Sequence, residues 1–248
     1  MKPKDLSIVV PVFNEAENLR PLHAEIATGL AEEGVDYEVL YVDDGSTDES
    51  PQILADLAST DARVRIIRLA KNSGQTAAFD AGFRAASGTI IATLDADLQN
   101  DPADLPRLLA ELEHCDIVCG IRQDRHDSWV RLLSSRLANS VRNRLTQESI
   151  TDVGCSLRVF RSHLAQDLPM FTGMHRFLPT LLRMQGGTVR EIPVRHRPRI
   201  HGESKYGIHN RLWVGVADLY AVRWMLKRWI GRRQAMEVTP GFGTDEAE

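Results

Sequence analysis

Three short polar clusters carry residue types and spacings that can do chemistry: Asn14-Glu15, Asp43-Asp44-Gly45-Ser46 and Asp95-Ala96-Asp97-Leu98-Gln99. In an extended chain, residues i and i+2 share a face, so Asp95 and Asp97 can reach one centre. Hard oxygen ligands of this kind suit Mg²⁺ or Mn²⁺, and a cation held there can neutralise a diphosphate. One such cluster alone reads more readily as turn residues and helix caps, because turns attract Asp and Asn. Three of them at successive strand ends tip the balance toward a site. Asp101 and Asp104 stay on the structural side, as residues that start a helix.

Strand and helix patterns that would position these clusters alternate from the start. Leu6–Val12, Tyr37–Val42, Val64–Leu69, Thr89–Leu94 and Asp116–Ile121 are short apolar, β-branched runs, as buried strands should be. Between them fall a helix capped by Asn14 with Glu15 and Glu17 in its first turn, a helix through Ala58, a helix over Thr76–Ala86, and one opened by Asp101-Pro102-Ala103-Asp104. Repeated units of this length predict an α/β fold, a mostly parallel central sheet with helices on both faces. Each polar cluster then lies beyond the carboxyl end of a strand, where open α/β sheets bind ligands. After Gly120 the pattern changes to an arginine-rich helix over Ser128–Leu145, strands at Ser156–Phe160 and Thr188–His196, a basic loop over His196–Tyr206, and a last helix over Arg211–Trp229.

The 248 residues suffice for one large domain with a buried core. With 43% hydrophobic and 26% charged residues the composition is globular. A net charge of −4 argues against general nucleic-acid binding. That charge is unevenly spread. Residues 1–119 hold 9 basic and 22 acidic side chains, and residues 120–248 hold 21 and 12. Cys115, Cys119 and Cys155 form no C-x-x-C pair, so buried thiols are expected rather than disulfides or a zinc knuckle. There is no signal-peptide pattern and no run of about 18 uncharged apolar residues, so a cytoplasmic protein is expected.

In order and spacing, Ser7–Glu15 (SIVVPVFNE), Val42–Asp48 (VDDGSTD), Asn72-Ser73-Gly74 and Leu94–Gln99 (LDADLQ) resemble the motifs of family-two glycosyltransferases with the GT-A fold. Asp152–Arg161 (DVGCSLRVFR), Met174–Pro179 (MHRFLP) and Arg199–Tyr206 (RIHGESKY) are similar to the dolichyl-phosphate mannosyltransferase-like subgroup, which moves a sugar from a nucleotide sugar to a polyprenyl phosphate. The resemblance implies a GT-A catalytic domain over residues 1–210, with a nucleotide-sugar half over 1–120 and an acceptor half over 121–210. A C-terminal amphipathic helix over 211–233 and a disordered tail over 234–248 complete the expected organisation.

Carried onto this sequence, the resemblance places Pro11, Phe13 and Glu15 at the nucleoside. Asp44, with Asp43 beside it, would hydrogen-bond the base or ribose. Lys71, Asn72 and Gly74 would flank the donor. Asp95, Asp97 and Gln99 would form the metal site around Ala96, with Mg²⁺ or Mn²⁺ as cofactor. Arg199, Ser204 and Lys205 would close over the donor phosphates. Arg122 and Arg131 would receive the acceptor phosphate, with Ser135 and Arg136 near them.

The chemistry agrees with these implied roles. A departing diphosphate needs positive charge held in place. A phosphate acceptor is already anionic, so it needs positioning by arginines more than deprotonation. Asp152 is a candidate base, and His175 is either another or a satisfied, half-buried histidine at a helix start. Direct attack by the acceptor predicts inversion at the anomeric carbon.

Three alternatives stay open. A hydroxyl acceptor on a glycan or lipid would demand a true base. A nucleotidyltransferase would also use paired aspartates and a metal, but the glycine- and lysine-rich triphosphate loop it needs near the first strand is not evident. A non-catalytic nucleotide-sugar-binding protein is the third. Arg142 and Arg144 read as a solvated helix face. The last helix mixes Leu212, Trp213, Val216, Leu219, Tyr220, Trp224 and Trp229 with Arg223, Lys227 and Arg228, which suits either peripheral contact with an anionic membrane or packing on the core.

Overall fold

The computed structural model describes residues 4–123, 139–198 and 211–230, with side chains from 215 onward in the last segment. Seven strands, β1 (Lys4–Val12), β2 (Tyr37–Asp43), β3 (Val64–Arg68), β4 (Gly88–Thr93), β5 (Ile117–Arg122), β6 (Arg158–Arg161) and β7 (Val189–Val194), form one sheet. Their order is β3-β2-β1-β4-β6-β5-β7. Only β6 runs against its neighbours, pairing antiparallel with β4 and β5, so the carboxyl ends of the other six share one edge. The helices are α1 (Ala16–Gly29), α2 (Ser50–Thr60), α3 (Gln75–Ala85), α4 (Leu105–Glu111), α5 (helical residues 139–146), α6 (Leu178–Met184) and α7 (Arg211–Arg228).

The sheet is covered on both faces, which is why strands such as β2 are buried at every residue. Alternation divides the side chains between two cores. Leu6, Ile8, Val10 and Val12 pack with α1 (Leu19, Leu22), α2 (Leu54) and α4 (Leu105, Leu108). Val9, Val42, Ile91 and Phe160 face the other way, onto Phe79 and Phe83 of α3, Leu178 and Leu181 of α6, and Val222 of α7. Each such buried side chain contributes about 1.5–3 kcal/mol of transfer free energy. All three cysteines are buried, and burial pushes the Cys119 thiol up to about 12 and the Cys155 thiol up to about 11, so neither is a ready nucleophile.

The alternating α/β pattern and its strands stand where the sequence predicts them. The strand expected at Ser156–Phe160 forms two residues later, as β6. Two local expectations need correction. Asn14 does not cap α1: its backbone is left-handed (φ 54), and its side chain accepts Thr47 N–H, so Glu15 occupies the cap position, its carboxylate accepting Asn18 Nδ2 at 2.7 Å rather than a helix-end N–H. The helical start after Asp101 is capped as expected, with Asp101 Oδ1 accepting Ala103 N–H at 3.0 Å, and its first turn, Pro102–Asp104, is 3₁₀ before α4. Arg142 is not on a solvated face. It is buried, donates from Nη2 to Thr180 Oγ1 at 2.6 Å, and pairs with the buried Glu148 at 2.6 Å. Periodicity locates a stripe on a helix but does not say which distant chain covers it. Arg144, by contrast, is exposed.

Candidate active site

Each of β1, β2, β3 and β4 is followed within six residues by a left-handed residue: Asn14 (φ 54), Gly45 (φ 71), Gly74 (φ 90) and Leu98 (φ 61). Non-glycine residues held in this region cost about 1–3 kcal/mol and persist only where neighbours over-determine them, a pattern that concentrates at functional sites. The four loops carry the three polar clusters, and they are tied together at the carboxyl edge of the sheet.

The first two clusters interlock. Asn14 N–H donates to Ser46 Oγ (3.0 Å), Glu15 N–H to Ser50 Oγ (2.9 Å) and Ala16 N–H to Asp48 Oδ2 (3.2 Å). Pro11, Phe13 and Glu15 lie half-buried along this edge. Asp43 is buried, with Oδ1 accepting Ser46 N–H at 2.9 Å and Arg68 Nε 3.3 Å from Oδ2. Asp44, also buried, accepts the N–H groups of Ser73 (2.7 Å) and Gly74 (2.8 Å), one on each oxygen. Its carboxylate therefore latches the loop after β3, which carries the exposed Lys71 and Asn72, against the loop after β2.

Gly45 makes that latch possible. A Cβ there would lie 2.7 Å from the backbone of both Lys71 and Asn72, in addition to the left-handed strain, whereas a Cβ at Gly74 meets nothing within 4 Å. Gly45→Ala should therefore cost about 2–4 kcal/mol, and Gly74→Ala only about 1–2. Thermal denaturation checks this, with roughly 2–4 °C expected per kcal/mol at this chain length. Equal losses for the two variants would refute the close-approach argument.

The third cluster leaves β4 with Leu94, Ala96 and Leu98 in the core. Asp95 and Asp97 alternate with them along the chain. Asp95 Oδ1 accepts Gln75 Nε2 at 2.8 Å, and Asp97, 8% exposed, accepts Gln99 N–H at 3.2 Å. Among the described residues no group of three or more His, Cys, Asp or Glu side chains stands ready to hold a metal ion. Two carboxylates and the Gln99 amide nevertheless fit Mg²⁺ or Mn²⁺, which commonly bind through one or two carboxylates while substrate phosphates and water complete the shell.

The acceptor-side candidates are joined directly. Arg122, at the end of β5, grips the buried Asp152 through Nε (2.8 Å), Nη2 (2.8 Å) and its own N–H (3.1 Å). Gly154 keeps this pair closed, since a Cβ there would meet Arg122 Nη2 at 2.5 Å. Glu191 of β7 accepts the N–H groups of Thr151 and Asp152. Ser156, a few residues on, accepts Asn100 Nδ2 at 2.7 Å and, on its carbonyl, Thr93 Oγ1 at 2.6 Å. The Asp152 loop thus sits beside the end of β4. His175 lies in a 3₁₀ turn, Met174–Phe177, with Nδ1 3.1 Å from Thr76 Oγ1. Arg131, Ser135, Arg136, Arg199, Ser204 and Lys205 lie outside the described residues.

Sequence reasoning overlooked several participants. Gln75 orients Asp95, and its only signal is adjacency to the Asn72-Ser73-Gly74 motif. Asp101 and Asp104 do more than start a helix. Asp101 receives Arg195 (3.1 Å) and Arg197 (2.8 Å), and Asp104 accepts Arg195 N–H (2.7 Å).

Residues 7–168 match the family described as Glycosyl transferase family 2. The chain belongs to this family. Among curated relatives of this family-two chain, the undecaprenyl-phosphate 4-deoxy-4-formamido-L-arabinose transferase of Edwardsiella ictaluri (strain 93-146) is 42% identical over 205 residues. The match covers 82% of this chain and 63% of that protein, so the chain spans less than two thirds of the relative's length. Glucosyl-3-phosphoglycerate synthase from Mycobacterium tuberculosis in complex with phosphoglyceric acid is a similar solved structure, at TM-score 0.63 and 18% identity, over 90% of this chain and 80% of that one. The same enzyme in complex with Mn²⁺, UDP and glucosyl-3-phosphoglycerate gives 0.61 and 18%, over 90% and 77%. At this identity the likeness establishes a shared glycosyltransferase fold and nothing finer.

Proposed function

We propose that this chain transfers a sugar from a nucleotide sugar to a polyprenyl phosphate, with a divalent cation at Asp95, Asp97 and Gln99 and inversion at the anomeric carbon. The observation that carries the reading is that the Asp95-x-Asp97-x-Gln99 turn and the Arg122–Asp152 pair lie at the carboxyl ends of β4 and β5 on one sheet edge, with Ser156 tying the Asp152 loop to Thr93 and Asn100. Asp95, Asp97 and Gln99 would hold the cation, which would supply positive charge to a departing diphosphate. Asp44 holds the loop after β3 beside the donor, and Gln75 orients Asp95. Arg122 offers an acceptor phosphate the same fork that now holds Asp152, because guanidinium geometry matches both groups. A hydroxyl acceptor is the less favoured reading, since both Asp152 carboxylate oxygens are engaged by Arg122.

The 42% identity to a transferase named for undecaprenyl phosphate supports the acceptor class. The structure described with Mn²⁺ and UDP supports the donor class and the metal. No described helix is long and apolar enough to cross a membrane. Helix α7 packs through Val222 and leaves Tyr220, Trp224 and Trp229 exposed beside Lys227 and Arg228, which suits peripheral contact with an anionic surface. The testing experiment is calorimetry with Mn²⁺ against GDP-mannose, UDP-glucose and a donor carrying 4-deoxy-4-formamido-L-arabinose, followed by transfer assays with undecaprenyl phosphate and undecaprenol. Binding of one donor and transfer to the phosphate alone is expected. Transfer to undecaprenol but not to the phosphate, or no binding of any nucleotide sugar, would overturn the proposal.

A further inference from the structure

The turn that carries the two aspartates is held from outside by a cluster no motif names. Leu98, between Asp97 and Gln99, is left-handed (φ 61), an unfavourable state for a branched side chain. Its buried side chain holds the turn from the core side. On the outer side, Arg197 N–H donates to Gln99 O at 2.8 Å, and Asn100 bridges His196 in antiparallel fashion. The Arg197 guanidinium then reaches two elements at once. Nη1 contacts both oxygens of Glu25 on α1 (2.8 and 2.9 Å), and Nη2 contacts Asp101 Oδ2 (2.8 Å). Asp101 Oδ1 is occupied in turn by Ala103 N–H at 3.0 Å.

From this geometry we infer that Arg197 is a positioning residue, bracing the 95–101 turn against α1 so that Asp97 and Gln99 keep the arrangement a cation and diphosphate require. The inference rests on the donor reading proposed above. The physical logic is that of an outer support. The left-handed Leu98 backbone is strained, and two opposed attachments, apolar inside and ionic outside, keep it from relaxing. A guanidinium suits the role because its fork serves two carboxylates from fixed directions, whereas an ammonium is a point charge. Loss of an outer support around a metal site typically weakens metal affinity by about 10–100-fold.

The test measures affinity for GDP and UDP by calorimetry, with and without Mn²⁺, using whichever nucleotide the unmodified chain binds more tightly. Arg197→Gln is expected to weaken Mn²⁺-dependent affinity about tenfold or more while changing metal-free affinity less than about twofold. Arg197→Lys should fall between. Arg63→Gln removes another arginine–aspartate pair, Arg63 Nη2 to Asp61 Oδ2 at 2.7 Å, which takes no part in the 95–101 turn, and should leave nucleotide affinity unchanged. If Arg197→Gln does not fold, Glu25→Gln removes one arm of the brace and should weaken Mn²⁺-dependent affinity in the same direction. Unchanged Mn²⁺-dependent affinity, an equal loss with and without Mn²⁺, or an equal loss in Arg63→Gln would each overturn the inference. Failure of the unmodified chain to bind either nucleotide would instead overturn the donor reading and the inference with it.

Discussion

Asp97→Ala is expected to abolish Mn²⁺-dependent nucleotide binding and to cut sugar transfer by about 10²–10³-fold, the effect of losing several kcal/mol of charge stabilisation at the leaving diphosphate. The carboxylate is buried four residues beyond β4 and accepts Gln99 N–H, so a structural role would show as a lowered melting temperature. Lost binding with a preserved melting temperature therefore separates the proposed role from a structural one. Asp97→Asn sharpens the comparison. It keeps the shape and the acceptor oxygen for Gln99 but removes the charge, so it should behave like the alanine variant. Undiminished turnover in either would refute the metal role. Asp101→Asn offers a contrast. It weakens the brace from Arg195 and Arg197 without touching the donor set, and its loss should be smaller than that of either Asp97 variant.

Arg122→Ala is expected to eliminate transfer to polyprenyl phosphate, by about 10³-fold or more, while donor affinity stays within about twofold. The variant also strands Asp152, which is buried and bonded three times to Arg122. An uncompensated buried carboxylate costs about 3–5 kcal/mol, and this loss of stability could imitate a loss of function. The double variant Arg122→Ala/Asp152→Asn removes the stranded charge. It should regain much of the stability and none of the transfer. Transfer restored in the double variant would assign Arg122 a structural role and send the search for the acceptor-phosphate grip elsewhere.

The contrast between Asp97 and Arg122 also bears on the uneven charge along the chain. The acidic first half holds the aspartates of the donor side, and the basic second half begins two residues before Arg122. Yet several second-half arginines are spoken for by acids. Arg195 and Arg197 bind Asp101, and Arg142 binds Glu148. Counting charges therefore overstates how many cations are available to phosphates.

What the sequence determined by itself was whatever is written locally. Apolar runs of six or seven residues marked β1 to β5 and put Asp95 and Asp97 just beyond the end of β4. The ordered motifs from Ser7 to Gln99 were enough to name the family. Tertiary structure alone decided everything that depends on which distant residue arrives. It reversed β6 between β4 and β5, buried Arg142 against Glu148 and Thr180, turned Asn14 from a cap into a partner of Thr47, and brought Glu25 and Asp101 to Arg197 across more than 90 residues of chain. The physical reason is the same in each case. Periodicity and turn chemistry are set by neighbours within a few residues, whereas an ion pair or a hydrogen bond between elements depends on packing that no local pattern encodes.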